Sequence, residues 1–249
     1  MTKIVSFNLK RIFNLCDEVK DKRFVHILFK SEADIICLQE TNIKLTKYLT
    51  DELTKKTGIL HNFEYKENNA IITYYHIMSI ESKLIKIKGI YIDRSYITMK
   101  LDDPKLRTQY KITVFHLDHL LEDTRILQLN EVNEMLKTTD ILVGDFNSIK
   151  KQDYSDTLIE TIDQMRKTNN KEKVDFRVIE FIENYGFKTN KFIMETCPYD
   201  TRVDYVFMKP TITNNYESTD GVINYIKEDV TDHNMIWTII YPKKSITVK

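Results

Sequence analysis

Short runs of β-branched and aliphatic residues that break off on a carboxylate, an amide or an imidazole recur along this chain, and they restrict its fold more than any other feature. "KIVSFN" ends on Asn8, "DIICLQE" on Glu40, "ITVFH" on His116 and "ILVGD" on Asp145. Runs of this length suit strands better than helices, and unbroken apolar character along them implies burial on both faces. A polar residue at the end of such a strand lies at the edge of a sheet, where strand ends from different parts of a chain converge.

The segments between these runs fill in the architecture. Asp17 to Ser31 is helix-like, with Val25, Leu28 and Phe29 on one face. From Leu60 to Leu101, "NAIITYY", "IMSIESKLIKI" and "YIDRSYITMKL" predict consecutive antiparallel strands. "YKITVFHL" adds another strand after a charged turn, and Ile126, Leu129, Val132 and Leu136, three and four apart, predict an amphipathic helix. Lys150 to Lys173 is polar and reads as a partly helical, mobile surface excursion near the site, with "KTNNKEK" as an exposed turn. A helix over Asp175 to Tyr185 closes on Gly186, and "RVDYVFM", "DGVINYIKEDV" and "NMIWTIIY" supply the last strands. Many antiparallel strands with a few inserted helices predict an α/β protein: a four-layer α/β/β/α sandwich with two mostly antiparallel sheets, in one domain over residues 1–249.

Charge narrows the function classes. Lys plus Arg and Asp plus Glu balance at 37 each, so no global field draws the chain to nucleic acid or an acidic membrane, and any polyanion site must be local. Cys16, Cys37 and Cys197 are odd in number and form no C-x-x-C pair, which predicts reduced thiols rather than zinc or redox work. Lys3, Lys10 and Arg11 interrupt what would be the apolar part of a leader, and no run approaches a membrane span; an intracellular, cytoplasmic protein is expected.

Singly, the polar terminators are ordinary. A Glu after a strand is usually solvated, an Asn usually forms a turn, and a lone His is usually structural. Together, Asn8, Glu40, His116 with Asp118, Asp145 with Asn147, and Asp232 with His233 all end predicted core strands. Carboxylates without clustered Cys or His select a hard cation, Mg²⁺ or Mn²⁺, with Glu40 and Asp232 as candidate ligands. The histidines suit proton donation and phosphate contact. Asp145 is then free to orient and deprotonate water while Asn147 holds it, the two being two residues apart so that strand pleating sends both the same way.

With these residues in order, the chain resembles the endonuclease/exonuclease/phosphatase superfamily, the deoxyribonuclease I-like fold, over nearly its full length. The motifs are "SFNL" (Asn8), "DIICLQET" (Glu40), "YKENNAI" (Glu67), "DRSYITMKL" (Arg94), "FHLDH" (His116), "GDFN" (Asp145, Asn147), "RVDYVF" (Asp204) and "TDHNM" (Asp232, His233). The resemblance implies that Glu40 ligates the metal with Asn8 and Asp232 beside it, that Asp145 and Asn147 activate and hold water, and that His233, kept basic by Asp204, hydrogen-bonds the phosphate. It further implies that His116, paired with Glu67, contacts the phosphate from the other side or serves as acid, and that Arg94 lies near the phosphates.

Departures from the family pattern refine this. "NNAI" stands for the usual Gly-Asn-Ala and "TDH" for Ser-Asp-His, while the Tyr-x-Pro-Asn type segment of base-excision enzymes is absent, so an abasic-site endonuclease is not expected. "HLDH" with downstream Arg125 and Gln128 is similar to the branch that includes tyrosyl-DNA phosphodiesterases. The expectation is a monomeric Mg²⁺-dependent phosphoesterase whose partner is nucleic acid or another phosphoester substrate. A nuclease or nucleic-acid end-processing phosphodiesterase is the first reading, with Lys55, Lys56, Lys150, Lys151 and the Arg166 to Lys173 stretch as candidate contacts. The alternative is a phosphatase or phosphodiesterase on a small metabolite, sugar phosphate or lipid head group, which a walled pocket would favour over an open groove.

Overall fold

The structure, a computed structural model, describes residues 1–10, 18–89, 94–191, 194–197, 201–225 and 230–243. In one sheet, strands β10 (Tyr216–Ile223), β11 (Met235–Pro242), β1 (Thr2–Asn8), β2 (Ile35–Gln39), β4 (Asn69–Thr73) and β3 (Asn62–Lys66) are hydrogen-bonded in that order. The other holds β5 (His76–Ile85), β6 (Arg94–Asp103), β7 (Thr108–His116), β8 (Ile141–Asp145) and β9 (Asp204–Met208). All neighbours are antiparallel except β1 with β2 and β7 with β8. Parallel neighbours need a crossover. Helices α1 (Glu18–Ser31) for the first pair, and α3 (Glu122–Glu131) with α4 (Asn133–Thr138) for the second, lie within those crossovers.

Alternation along each strand builds the layers. Ile4 on β1 and Ile141 and Val143 on β8 point into the core shared by the two sheets, whereas Val5, Phe7 and Leu142 point outwards to the helices. Phe24 and Leu28 of α1, with Leu45 and Leu49 of α2 (Ile43–Thr57), cover the first sheet. Leu129, Leu136, and Val178 and Ile182 of α6 (Arg177–Asn184) cover the second. The result is the expected four-layer sandwich.

Several local readings change. The helix expected through Val132 is two short helices, because the Val132 N–H turns back to the carbonyls of Leu129, at 3.2 Å, and Asn130 instead of continuing the helical ladder. Helix α2, rich in Thr and Lys, carries a weak apolar pattern but strong end signals: the Asn42 side chain accepts from Leu45 N–H, and Gly58 takes a left-handed cap. The excursion contains α5 (Asp156–Thr168), capped by the Ser155 side chain, and Pro210–Thr213 forms the short α7. Cys37 and Cys197 are buried, and Cys197 Sγ lies 2.9 Å from Thr201 Oγ1. Arg11, Cys16, Asp17, residues 91–93 of "YIDRSYITMKL" and residues 226–229 of "DGVINYIKEDV" lie outside the described residues. Among the described residues, no helix is long and apolar enough to cross a membrane.

Candidate active site

Register explains why the polar terminators meet. His116 pairs with Asp145 and Asp145 with Asp204, so the ends of β7 and β8 and the start of β9 form one rung of the second sheet. By alternation their side chains follow Val114, Val143 and Val206 towards the first sheet. There Asn8 ends β1 on the interior face of Ile4, and Glu40 follows β2 directly. The buried Asn8 amide joins the sheets: Nδ2 donates to Asp145 Oδ2 at 3.0 Å and to Glu40 Oε1 at 3.2 Å.

Backbone geometry is specialised around these groups. Gly144 has φ +143, and a Cβ there would sit 1.9 Å from the Phe115 carbonyl oxygen, so the residue before Asp145 must be glycine for β8 to approach β7 this closely. Glu40 and Asn147 both hold φ near +50, in the left-handed region. Asn147 reaches its place by a turn rather than by pleating, which corrects the expectation. Its N–H donates to Asp145 Oδ1 at 2.9 Å and its Nδ2 to the Leu117 carbonyl at 3.2 Å.

The two histidines have opposite environments. His233 Nδ1 lies 2.9 Å from Asp204 Oδ2, and its Nε2 3.7 Å from Asp145 Oδ2. Burial would lower this imidazole, but the Asp204 and Asp145 charges outweigh it and push the pKa up to about 10. His116 is held well below its ordinary value by burial first, then by the charges of Arg94, His233 and His119. Asp145 is pushed up to about 7 by burial and by the charge of Asp204, against the opposing pull of His233 and the Asn147 and Asn8 donors.

Two sequence expectations are not met by the geometry. Glu67 does not pair with His116: it is exposed, at the turn between β3 and β4 with φ +36, and is not among the residues lining the cavity. The His116 Nδ1 faces Arg94 instead, NH1 lying 3.0 Å away. Arg94 itself is buried and does not line the cavity, because it opens β6 behind the histidines. Asp232 lines the cavity with Glu40, but its carboxylate pairs with Lys10 Nζ at 2.5 Å, whereas Asn8 Nδ2 bonds Glu40 and Asp145.

The sequence reading missed His119, the second histidine of "HLDH", whose Nδ1 is 3.3 Å from Arg94 NH2 and which lines the cavity. The neighbouring Asp118 is a loop former: its carboxylate accepts from the N–H groups of Leu120 and Leu121, its own N–H donates to Gln128, and its carbonyl accepts from Arg125. This gives the downstream Arg and Gln of the motif a physical role.

These groups open into a cavity of about 340 Å³. Of the basic residues expected to contact substrate, Arg166 and Lys171 line it, while Lys55 pairs with Glu52, Lys150 with Glu183, and Lys56 lies over Phe29. The excursion that carries Arg166 and Lys171 is fastened rather than loose: Glu172 accepts from the buried Arg125 guanidinium, and the Glu172 carbonyl accepts from Arg166 Nε at 2.8 Å. A divalent cation fits the donor set. Ligand atoms of Asp145, Asp204 and His233 lie within 4.8 Å of one another, and the buried Asp204 Oδ1 accepts no hydrogen bond among the described residues. Glu40, Asp145 and Asp232 bring carboxylate oxygens to the cavity, donors that suit a hard ion.

The sequence matches no family model, and no curated protein matches it. Solved structures do match. A mannosyl-6-phosphatase from Bacteroides thetaiotaomicron superposes with TM-score 0.69 at 14% identity, covering 97% of this chain and 100% of that one. An endonuclease/exonuclease/phosphatase family protein from Leptotrichia buccalis gives 0.69 at 14%, covering 98% and 100%. The 3′ phosphatase NExo from Neisseria, bound to a product DNA hairpin, gives 0.67 at 12%, covering 97% and 100%. On this likeness, over almost the whole of each chain, the protein has the fold of the endonuclease/exonuclease/phosphatase superfamily.

Proposed function

We propose that this protein is a divalent-metal-dependent phosphoester hydrolase that acts by in-line attack of water. The observation that carries the reading is the cross-sheet bridge, in which one buried amide holds Glu40 and Asp145 beside the His116, Asp145 and Asp204 rung. Two of the similar structures are described as phosphatases, which supports the same class. Glu40 and Asn8, with Asp204 adjoining, would hold a cation of the Mg²⁺ or Mn²⁺ kind, which would supply positive charge against the phosphoryl and leaving oxygens. Asp145 takes a proton from the attacking water, which Asn147 helps to hold. His233, oriented by Asp204, donates to a phosphoryl oxygen and offsets the charge that grows there.

The sequence placed nucleic acid first among substrates. The cavity is walled by the fastened excursion and is of a size suited to a small ligand, which favours a small phosphoester or the terminal phosphate of a strand over an internal bond of a duplex. Purified protein and an Asp145→Asn variant, with Mg²⁺, Mn²⁺ or EDTA, should be assayed on sugar phosphates, 3′- and 5′-phosphorylated oligonucleotides, a 5′-tyrosyl oligonucleotide, RNA, and single- and double-stranded DNA. The expected result is metal-dependent hydrolysis, about 10³-fold slower in the variant. No metal-dependent turnover of any of these would overturn the reading.

A further inference from the structure

Arg94 occupies a position that its expected phosphate contact does not explain. Its guanidinium is buried behind the cavity wall, with NH1 3.0 Å from His116 Nδ1 and NH2 3.3 Å from His119 Nδ1. A guanidinium has five N–H donors and no acceptor, so in both contacts the imidazole nitrogen must accept. An imidazole that accepts at Nδ1 is neutral and carries its hydrogen on Nε2. One arginine therefore sets the tautomer of two rings.

This is the reverse of the arrangement at His233. There a carboxylate faces Nδ1 and favours a hydrogen on that nitrogen. At His116 and His119 the lone pair at Nδ1 is engaged and Nε2 carries the hydrogen, so neither ring has a lone pair with which to accept a proton from water. What remains is donation. His116 Nε2 lies 3.7 Å from Asp145 Oδ2 and 3.8 Å from Glu40 Oε1, at the floor of the cavity that His119 also lines.

We propose that Arg94 is a positioning residue that fixes His116 and His119 as Nε2–H tautomers, and that the two rings form a paired N–H seat for a phosphoryl oxyanion, with His119 as a further substrate contact. The identity of the anion rests on the phosphoester reading above; the tautomers do not. Under this arrangement His116 is a hydrogen-bond donor to the phosphate rather than a general base, and Arg94 acts through both rings at once.

The test is a long-range ¹H–¹⁵N correlation spectrum of the imidazoles in uniformly ¹⁵N-labelled protein, assigned with His116→Gln and His119→Gln variants. Both rings should show a protonated Nε2 and an unprotonated Nδ1. Arg94→Met should replace this pattern with a mixture containing Nδ1–H, and Arg94→Lys should restore it at one ring at most. A protonated Nδ1 at either ring of the wild type overturns the proposal, and this outcome can be read even if Arg94→Met fails to fold. Titration with inorganic phosphate should then shift both Nε2 resonances, and a shift at His116 alone overturns the paired seat. Since none of these readouts depends on turnover, the expected tautomers in a protein that hydrolyses no phosphoester would remove the functional reading and leave the Arg94 assignment standing.

Discussion

His116 and His233 reach one cavity in opposite electrical states: the charges of Asp204 and Asp145 raise His233 against its burial, whereas burial and then the charge of Arg94 lower His116. Asp204 gives His233 a counter-charge, whereas Arg94 denies His116 a second proton. A third histidine illustrates the same rule far from the site. His61 is buried, with Nδ1 2.8 Å from the Ile59 carbonyl and its ring edge-on to Tyr74, and burial lowers its pKa below the ordinary value. The unfolded chain therefore binds this proton first on acidification. The stability contributed by neutral His61 is complete above about pH 6.5 and drains as the pH falls through that value towards the folded pKa. Urea midpoints measured between pH 7.5 and 5 should fall more steeply for the wild type than for His61→Gln, and parallel slopes would refute this. At this scale the sequence showed which residue types stop the strands, because an amide or carboxylate after a buried run is visible in one dimension. It did not show who faces whom. Glu67 looked like the partner of His116, yet it lies exposed at a hairpin turn, and Arg94 takes that place from a different strand.

Among elements, the crossover from β7 to β8 and the excursion after β8 are bound together by one buried cation. Arg125 of α3 meets Glu122 on its own helix, Glu172 in the excursion, and the Asp118 carbonyl in the "HLDH" turn. It thus ties the loop that carries His119 to the wall that carries Arg166 and Lys171. Removing it leaves two carboxylates without their buried partner, so Arg125→Met should destabilise the protein by about 3–5 kcal/mol in urea denaturation. The variant should also lower activity measured well below the unfolding midpoint, because both sides of the cavity loosen. Loss of stability with unchanged kinetics would show that the tie is structural only. These links were beyond the sequence for a physical reason. The polar stretch from Lys150 to Lys173 has a solvated composition, and its buried attachments run through scattered single residues such as Glu172, Asp153 and Ile162 that nothing local distinguishes. Helix α2 escaped for a related reason, since its short Thr and Lys side chains blur the apolar stripe that its caps delimit.

For the whole molecule, a cation that binds only the folded state must stabilise it by mass action, by about 2.7 kcal/mol at a hundredfold excess over its Kd. Mg²⁺ or Mn²⁺ should raise the thermal midpoint of the wild type and do so far less in Glu40→Gln; equal shifts would place the ion elsewhere. The layered architecture itself was legible, because period-two alternation with doubly apolar strands leaves few alternatives to two stacked sheets between helices. The junction between those sheets has a further consequence. The amide of Asn8 reaches Asp145 across 137 positions of sequence, from one sheet to the other. Contacts so distant along the chain can form only after most of the loop entropy has been spent. Activity is then a gauge of how the halves have docked, a calliper whose jaws are the two sheets. In graded urea, catalysis and far-UV ellipticity should vanish together.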